Sequence, residues 1–134
     1  MKNLLKLSMA AAIASASLSA TAGERVGDFA LIDHEGAFHN MTWYDDHNAV
    51  VILPQANGSA DTAENLAGLL ELQAKYDAQG VEFFLMNPGL QERAAVQAEA
   101  ASLAGNLPIL MDDTQLVSEL LGIDNLDQAV VYSP

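Results

Sequence analysis

The sequence predicts an α/β fold in which a central mixed sheet is flanked by helices. Three observations predict it. Residues 49–53 are a continuous apolar run rich in β-branched residues, and 81–86 are a second run, apolar but for Glu82; both are too short for helices and suited to strands buried on both faces. Between and after them, apolar residues recur at helical intervals. Each periodic stretch ends at a glycine, Gly80, Gly105 or Gly122, the residue that most readily adopts the left-handed conformation closing a helix. Strands alternating with helices make a layered structure with a partly parallel sheet.

Taken in order, residues 1–22 read as a cleaved leader. Lys2 and Lys6 give a basic start, residues 4–18 are apolar and alanine-rich, and Ala20-Thr21-Ala22 is a small-residue cleavage site. The apolar stretch is interrupted by serines and falls short of the ~20 residues that a membrane-spanning helix needs. Residues 23–134 are then the single domain. Residues 29–32 and 37–41 flank the turn-rich Asp33-His34-Glu35-Gly36 and predict a hairpin. Thr42 is expected to cap a short helical turn carrying Trp43 and Tyr44. Pro54 ends the strand at 49–53, and a loop covers 55–60. Asp61 and Glu64 have capping-box spacing, and Ala63, Leu66, Ala67, Leu70 and Ala74 predict a helix running to Gly80. After the strand at 81–86, residues 87–89 form a turn and 91–103 an alanine-rich helix. A strand at 108–111 follows, then a helix capped by Asp112 or Asp113 and ending at Leu121, then a last strand at 129–132. Phe83, Phe84, Met86 and Met111 fall in strand runs and are expected in the core.

Composition narrows function. The chain is 51% hydrophobic and 17% charged, as expected of one globular domain. Without the leader it keeps Arg25, Lys75 and Arg93 as its only strong bases against 18 acidic residues, a formal charge of −15. Nucleic acid and anionic lipid are not expected as partners, because both are bound by neutralising phosphates with Lys and Arg. There is no cysteine, which excludes thiol chemistry and thiolate-ligated metal. No cofactor is expected. His34, His39 and His47 lie near several carboxylates but match no compact ligand spacing and are expected at the surface. Asp45-Asp46 and Asp112-Asp113 are read as turn and cap residues rather than acid/base pairs, since adjacent side chains diverge.

Several stretches together resemble one family. They are Val26-Gly-Asp-Phe29, a strand running into Gln55-x-Asn57-Gly58, Tyr76 with Gly80-Val81, Leu85-Met-Asn-Pro88, Pro108-Ile-Leu-Met-Asp112, and Gln115-Leu-Val117 followed by Leu121-Gly122. In this order, over residues 26–134, they are similar to the redoxins, the alkyl hydroperoxide reductase C and thiol-specific antioxidant type proteins of the thioredoxin superfamily. The resemblance implies a thioredoxin-like fold and a thiol oxidoreductase or peroxidase ancestry. It also implies a reactive cysteine at the helix N-terminus after the central strand, where Ser59 stands in this chain. A serine hydroxyl ionises far less readily and has no sulfenic acid step, so the inherited reaction is chemically closed. Where many thioredoxin-fold proteins carry a cis-proline before the last strand, this chain has Leu126-Asp127-Gln128. Similar domains also continue past that strand, so a C-terminally shortened fold is expected, with a sheet edge left for something else to cover.

The expected function is therefore that of an exported, periplasmic or secreted, cysteine-free redoxin-like domain, non-catalytic by itself. It would bind or scaffold a protein partner through Gln55, Asn57, Gly58, Ser59 and Asp127. The alternative, which the family resemblance implies, is a component or fragment of a thiol-dependent antioxidant or oxidoreductase system that reduces peroxides or disulfides. A serine enzyme at Ser59 would need a base that no histidine can be assigned to supply; a helix cap is the simpler expectation there.

Overall fold

The computed structural model describes residues 2–8 and 24–133. Its strands are β1 (Lys2–Ser8), β2 (Glu24–Val26), β3 (Ala30–Ile32), β4 (Phe38–Asn40), β5 (Ala49–Pro54), β6 (Val81–Asn87), β7 (Ile109–Met111) and β8 (Gln128–Ser133). Its α-helices are α1 (Ala60–Tyr76), α2 (Arg93–Ala100) and α3 (Leu116–Leu120). Six strands form one mixed sheet in the order β2-β1-β8-β5-β6-β7, and β3 and β4 pair as a separate hairpin. β5, β6 and β7 are parallel, while β8 runs antiparallel to β5 and to β1.

The apolar runs make this sheet because successive side chains point to opposite faces and both faces are covered. Val51, Leu53, Phe83 and Leu85 pack with Leu66 and Leu69 of α1 and Val96 of α2. Val50, Ile52, Phe84 and Met86 pack on the other side with Leu4, Phe29, Met41, Leu121 and Tyr132. Phe83, Phe84, Met86 and Met111 are all in the core, as expected.

Local details depart from the expectations for physical reasons. Asn40, not Thr42, caps the 3-10 turn at Met41–Tyr44; its side chain accepts from both the Thr42 N–H and the Thr42 hydroxyl. Ser59 is the cap of α1, as expected of it, and accepts from the Thr62 N–H at 3.2 Å, so the helix starts before the position that the Asp61/Glu64 spacing predicts. The buried stripe of α1 is Thr62, Leu66 and Leu69, spaced one and two turns apart, while Ala63, Ala67 and Ala74 are exposed. Burying leucine gains much more than burying alanine, so Leu66 and Leu69 set the helical phase. α2 is shorter than the periodic stretch at 91–103. After Ala100 the chain tightens into three-residue bonds, from Ser102 N–H to Glu99 O and Leu103 N–H to Ala100 O, and the Ser102 hydroxyl also bonds to Glu99 O.

The β8 edge is covered by β1, whose residues belong to the expected leader. The ladder runs over six residues from Asn3↔Ser133 to Ser8↔Gln128. The cleavage site at 20–22 lies outside the described residues. No helix among the described residues is long and apolar enough to cross a membrane.

Candidate functional site

β5 and β6 end side by side, with Pro54 paired to Met86, and β7 ends beside Asn87. The loops leaving these carboxyl ends carry the residues singled out in the sequence. Such a position is where open α/β sheets place their ligands.

Gln55 is fully buried and is the hub of an amide network. Its N–H donates to Met86 O at 2.7 Å, its Nε2 to Asn57 Oδ1 at 2.8 Å, and its Oε1 accepts from Asn87 Nδ2 at 3.0 Å. Asn87 Nδ2 also donates to Gln91 Oε1 at 2.8 Å, and that oxygen accepts the Asn57 N–H at 3.1 Å. Asn57 Nδ2 reaches Ala95 O on α2 at 2.9 Å. The Ala56 N–H donates to the Thr62 hydroxyl, the Gly58 N–H to the Glu99 carboxylate at 3.0 Å, and the Ser59 N–H to Ala56 O. Every backbone N–H from Gln55 to Ser59 therefore has an acceptor within the chain. Gly58 takes φ +70°, a conformation in which glycine is unstrained, and it is exposed at the loop tip.

Ser59 is half-buried, and its hydroxyl oxygen serves as the helix cap. No histidine bonds to it. His34 Nδ1 accepts the Ile109 N–H at 3.2 Å, His39 lies between Asp33 (2.8 Å) and Tyr44 (3.2 Å), and His47 contacts Asp46 and Glu82. The histidines are thus not the surface residues expected: His34 is buried and the other two are partly covered. Each is used to pin an element. Among the described residues no group of histidine and carboxylate side chains could hold a metal ion.

Asp127 lies exposed on the loop between α3 and β8, where its N–H donates to Asn125 Oδ1. That loop is tied to α1 by a 3.2 Å bond from Asn65 Nδ2 to Leu126 O, so the structure brings both predicted segments against the first half of α1. Beside it opens a cleft of about 280 Å³ lined by Leu90, Ser118, Glu119, Ile123 and Leu126. A larger cleft of about 550 Å³ lies away from this face, between the hairpin turn at Asp33–Glu35 and the segment 103–109. Of its polar lining, Asp33 is engaged by His39 and His34 by β7.

The network residues Asn87, Gln91 and Glu99 escaped the sequence reading. Their bonds to loop 55–59 span 32 to 41 residues of chain, so no local spacing announces them.

Electrostatics centre on the hairpin. Burial works to raise the Asp33 carboxyl, but the hydrogen bond with His39, the N–H groups of Ala37 and Glu35, and the charge of His39 prevail and hold it below its ordinary value. Glu82 goes the other way: burial lifts it, with His47 opposing. The Tyr44 hydroxyl is raised by burial and by the charges of Glu82 and Asp33.

No protein-family model matches this sequence, and no curated protein sequence matches it. Solved structures do resemble it. A hypothetical protein of Sinorhizobium meliloti aligns at TM-score 0.61 and 24% identity, over 75% of this chain and 58% of its own. Peroxidoxin BcpB of Mycobacterium tuberculosis aligns at 0.65 and 16%, over 77% and 66%. A thioredoxin-like protein of Bacteroides vulgatus aligns at 0.61 and 20%, over 78% and 68%. This chain spans little more than half of the Sinorhizobium protein's length. These likenesses establish the architecture: the chain has a thioredoxin-like fold, a mixed sheet flanked by helices as found in redoxins, and it carries no cysteine.

Proposed function

We propose that this chain is an exported, non-catalytic redoxin-like domain that binds or scaffolds a protein partner through the face formed by loop 55–59 and Asp127. The observation that supports this most is the closure of the loop. A thiol or peroxide site needs backbone N–H groups open towards a developing anion. Here all five N–H groups are occupied, one of them by the Glu99 carboxylate, and the Ser59 hydroxyl is engaged as a cap. The same bonds make the loop rigid, which favours recognition because little ordering cost remains on binding. Gln55 acts from beneath as support, while Asn57, Gly58, Ser59 and Asp127 offer the accessible surface. Export follows from the leader-like residues 1–22.

A second reading has the chain docking to a cysteine-bearing partner as a component of a thiol-dependent system. The likeness to peroxidoxin BcpB favours it.

A photo-crosslinking residue at Ala60 or Asp127, both exposed on this face, should give one shared adduct in the exported fraction, and the same residue at exposed Glu71 should give none. Equal labelling at all three positions, or none at Ala60 and Asp127, would overturn the proposal. Adding the protein should leave the peroxide and disulfide reduction rates of the captured partner unchanged; an increase selects the second reading.

A further inference from the structure

The cleft of about 550 Å³ between the β3–β4 turn and residues 97–109 has the size of a small-molecule site. Its apolar lining comes from Leu85 of β6, Ile109 of β7, and Leu103 and Leu107 of the segment joining α2 to β7. That segment is held in shape. Gly105 takes φ +88° and lies so close to α1 that an added Cβ would collide with Leu70 Cδ2, and Asn106 follows at φ +51°. The cleft is therefore preformed, which spares a ligand the cost of ordering its walls.

Two polar groups of the lining are left without partners. His34 Nδ1 accepts the Ile109 N–H, so the neutral ring carries its proton on Nε2. The His34 side chain is only 11% exposed, and Glu35 Oε1 stands 3.9 Å from Nε2, beyond hydrogen-bond reach. A fixed donor thus lacks an acceptor among the described residues. The Glu35 carboxylate, 78% exposed, makes no hydrogen bond there either. Among the described residues no Lys or Arg lines the cleft; the Arg93 guanidinium approaches the turn at Gly36 without joining the lining.

This arrangement disfavours an anion. The bond from Ile109 occupies Nδ1, so His34 supplies no positive charge, while Glu35 and the formal charge of −13 repel. The same field draws in a cation. We propose that the cleft binds a small organic amine of the amino alcohol or amino amide class. Its ammonium group faces Glu35, its oxygen accepts from His34 Nε2–H, and its compact hydrocarbon body lies against Leu103 and Leu107. The site is independent of the partner-binding reading, since neither loop 55–59 nor Asp127 lines it.

The test titrates the full chain, at low salt, with phenylalaninol, an aromatic amino alcohol, and follows amide and imidazole NMR resonances. Hydrocinnamyl alcohol, which lacks the amine, and hydrocinnamate, an anion, serve as comparisons with a similar body. Phenylalaninol should shift the Leu103, Leu107 and Ile109 amides and the His34 Nε2–H saturably. Hydrocinnamyl alcohol should bind about two- to fivefold more weakly, the worth of one exposed ion pair, and hydrocinnamate more weakly still. Glu35→Gln should remove the preference for the amine and leave the alcohol's binding unchanged. Ala104→Trp, at an exposed position of the lining, should exclude all three probes, and Ala101→Trp is the second filling variant should the first fail to fold.

The proposal fails if phenylalaninol gives no saturable shift or shifts residues outside the cleft. Equal affinity for the amine and the anion, full amine affinity in Glu35→Gln, or undiminished binding in a folded tryptophan variant would each overturn it as well.

Discussion

A cysteine placed at position 59 would sit where the redoxin resemblance puts the reactive thiol, yet it would find a hostile setting. The Gly58 N–H beside it is held by Glu99, and the neighbouring amides are bonded to Met86, Thr62, Gln91 and Ala56. Of the loop amides none is left for a thiolate, and only the Thr62 N–H that now bonds to the Ser59 hydroxyl oxygen and the helix dipole remain to stabilise one. Ser59→Cys is therefore expected to give a slow, ordinary thiol and no rapid peroxide reduction, measured by stopped-flow consumption of hydrogen peroxide. Pairing it with Glu99→Gln would free little, because the amide still offers an oxygen. Rapid turnover by Ser59→Cys alone would show that the loop had kept its catalytic geometry. Asp112 illustrates the opposite case, a carboxylate whose role is structural. It is buried, its Oδ2 accepts the Ser118 N–H and hydroxyl at 2.6 Å each, and its Oδ1 takes the Val117 N–H. Asp112→Ala leaves these donors buried without an acceptor and should cost about 2–4 kcal/mol in urea unfolding. A loss below about 1 kcal/mol would mean that α3 recruits another cap.

At the scale of elements, the β3–β4 hairpin is held to the sheet by a few polar bonds rather than by a ladder. His34 exchanges two bonds with Ile109, its N–H donating to Ile109 O at 2.8 Å and its Nδ1 accepting the Ile109 N–H. That second bond requires Nδ1 without a proton and so places the proton of a neutral ring on Nε2. His34→Phe keeps the volume but strands the Ile109 amide, at an expected cost of about 1–3 kcal/mol. Faster hydrogen exchange at Ile109 should accompany the loss, and unchanged protection there would refute the role. Asp33 adds a pH dependence. Its carboxyl is lowered in the fold, so its contribution is present above the ordinary carboxylate range and fades as pH falls through it. Glu82 is raised and works in the reverse sense, its contribution fading as pH rises. Asp33→Asn should therefore flatten the acid side of the stability curve and Glu82→Gln should steepen it; identical slopes in both variants would discard the assignment. The hairpin also shows what the sequence could reveal. Its two strands and turn were legible from composition because turn chemistry is local, whereas the seat of His34 on β7 was not, since 75 residues separate the partners. The same holds at the candidate site. Ser59 as a cap was readable from its neighbours, but the closure of its loop by Gln91 and Glu99 depends on how α2 docks. The exposed alanine face of α1 has a related cause, because periodicity marks a helix while packing selects which side is buried.

Over the whole molecule the dominant quantity is charge. The formal charge is −13 on 134 residues, and few strong bases oppose it. The acidic side chains cannot all find partners, so folding gathers like charges at a cost that dissolved ions reduce. At about 0.01 M salt the screening length is about 30 Å, comparable to a small domain, and at about 1 M it is about 3 Å. The native chain should therefore gain stability steeply as sodium chloride rises from about 0.01 M to about 0.3 M and then level off, because by then the screening length is shorter than most charge separations. A gain of about 1 kcal/mol would raise Tm by about 4 °C. Potassium chloride should do the same, since screening depends on ionic strength. Sulfate at matched ionic strength adds a further increase that continues beyond the plateau, because it strengthens apolar burial by exclusion from the surface. The two effects separate cleanly in a differential scanning series. A Tm that stays flat in the dilute range, or rises only with sulfate, would mean that the acidic surface imposes no penalty on the fold and that its role must be sought in recognition.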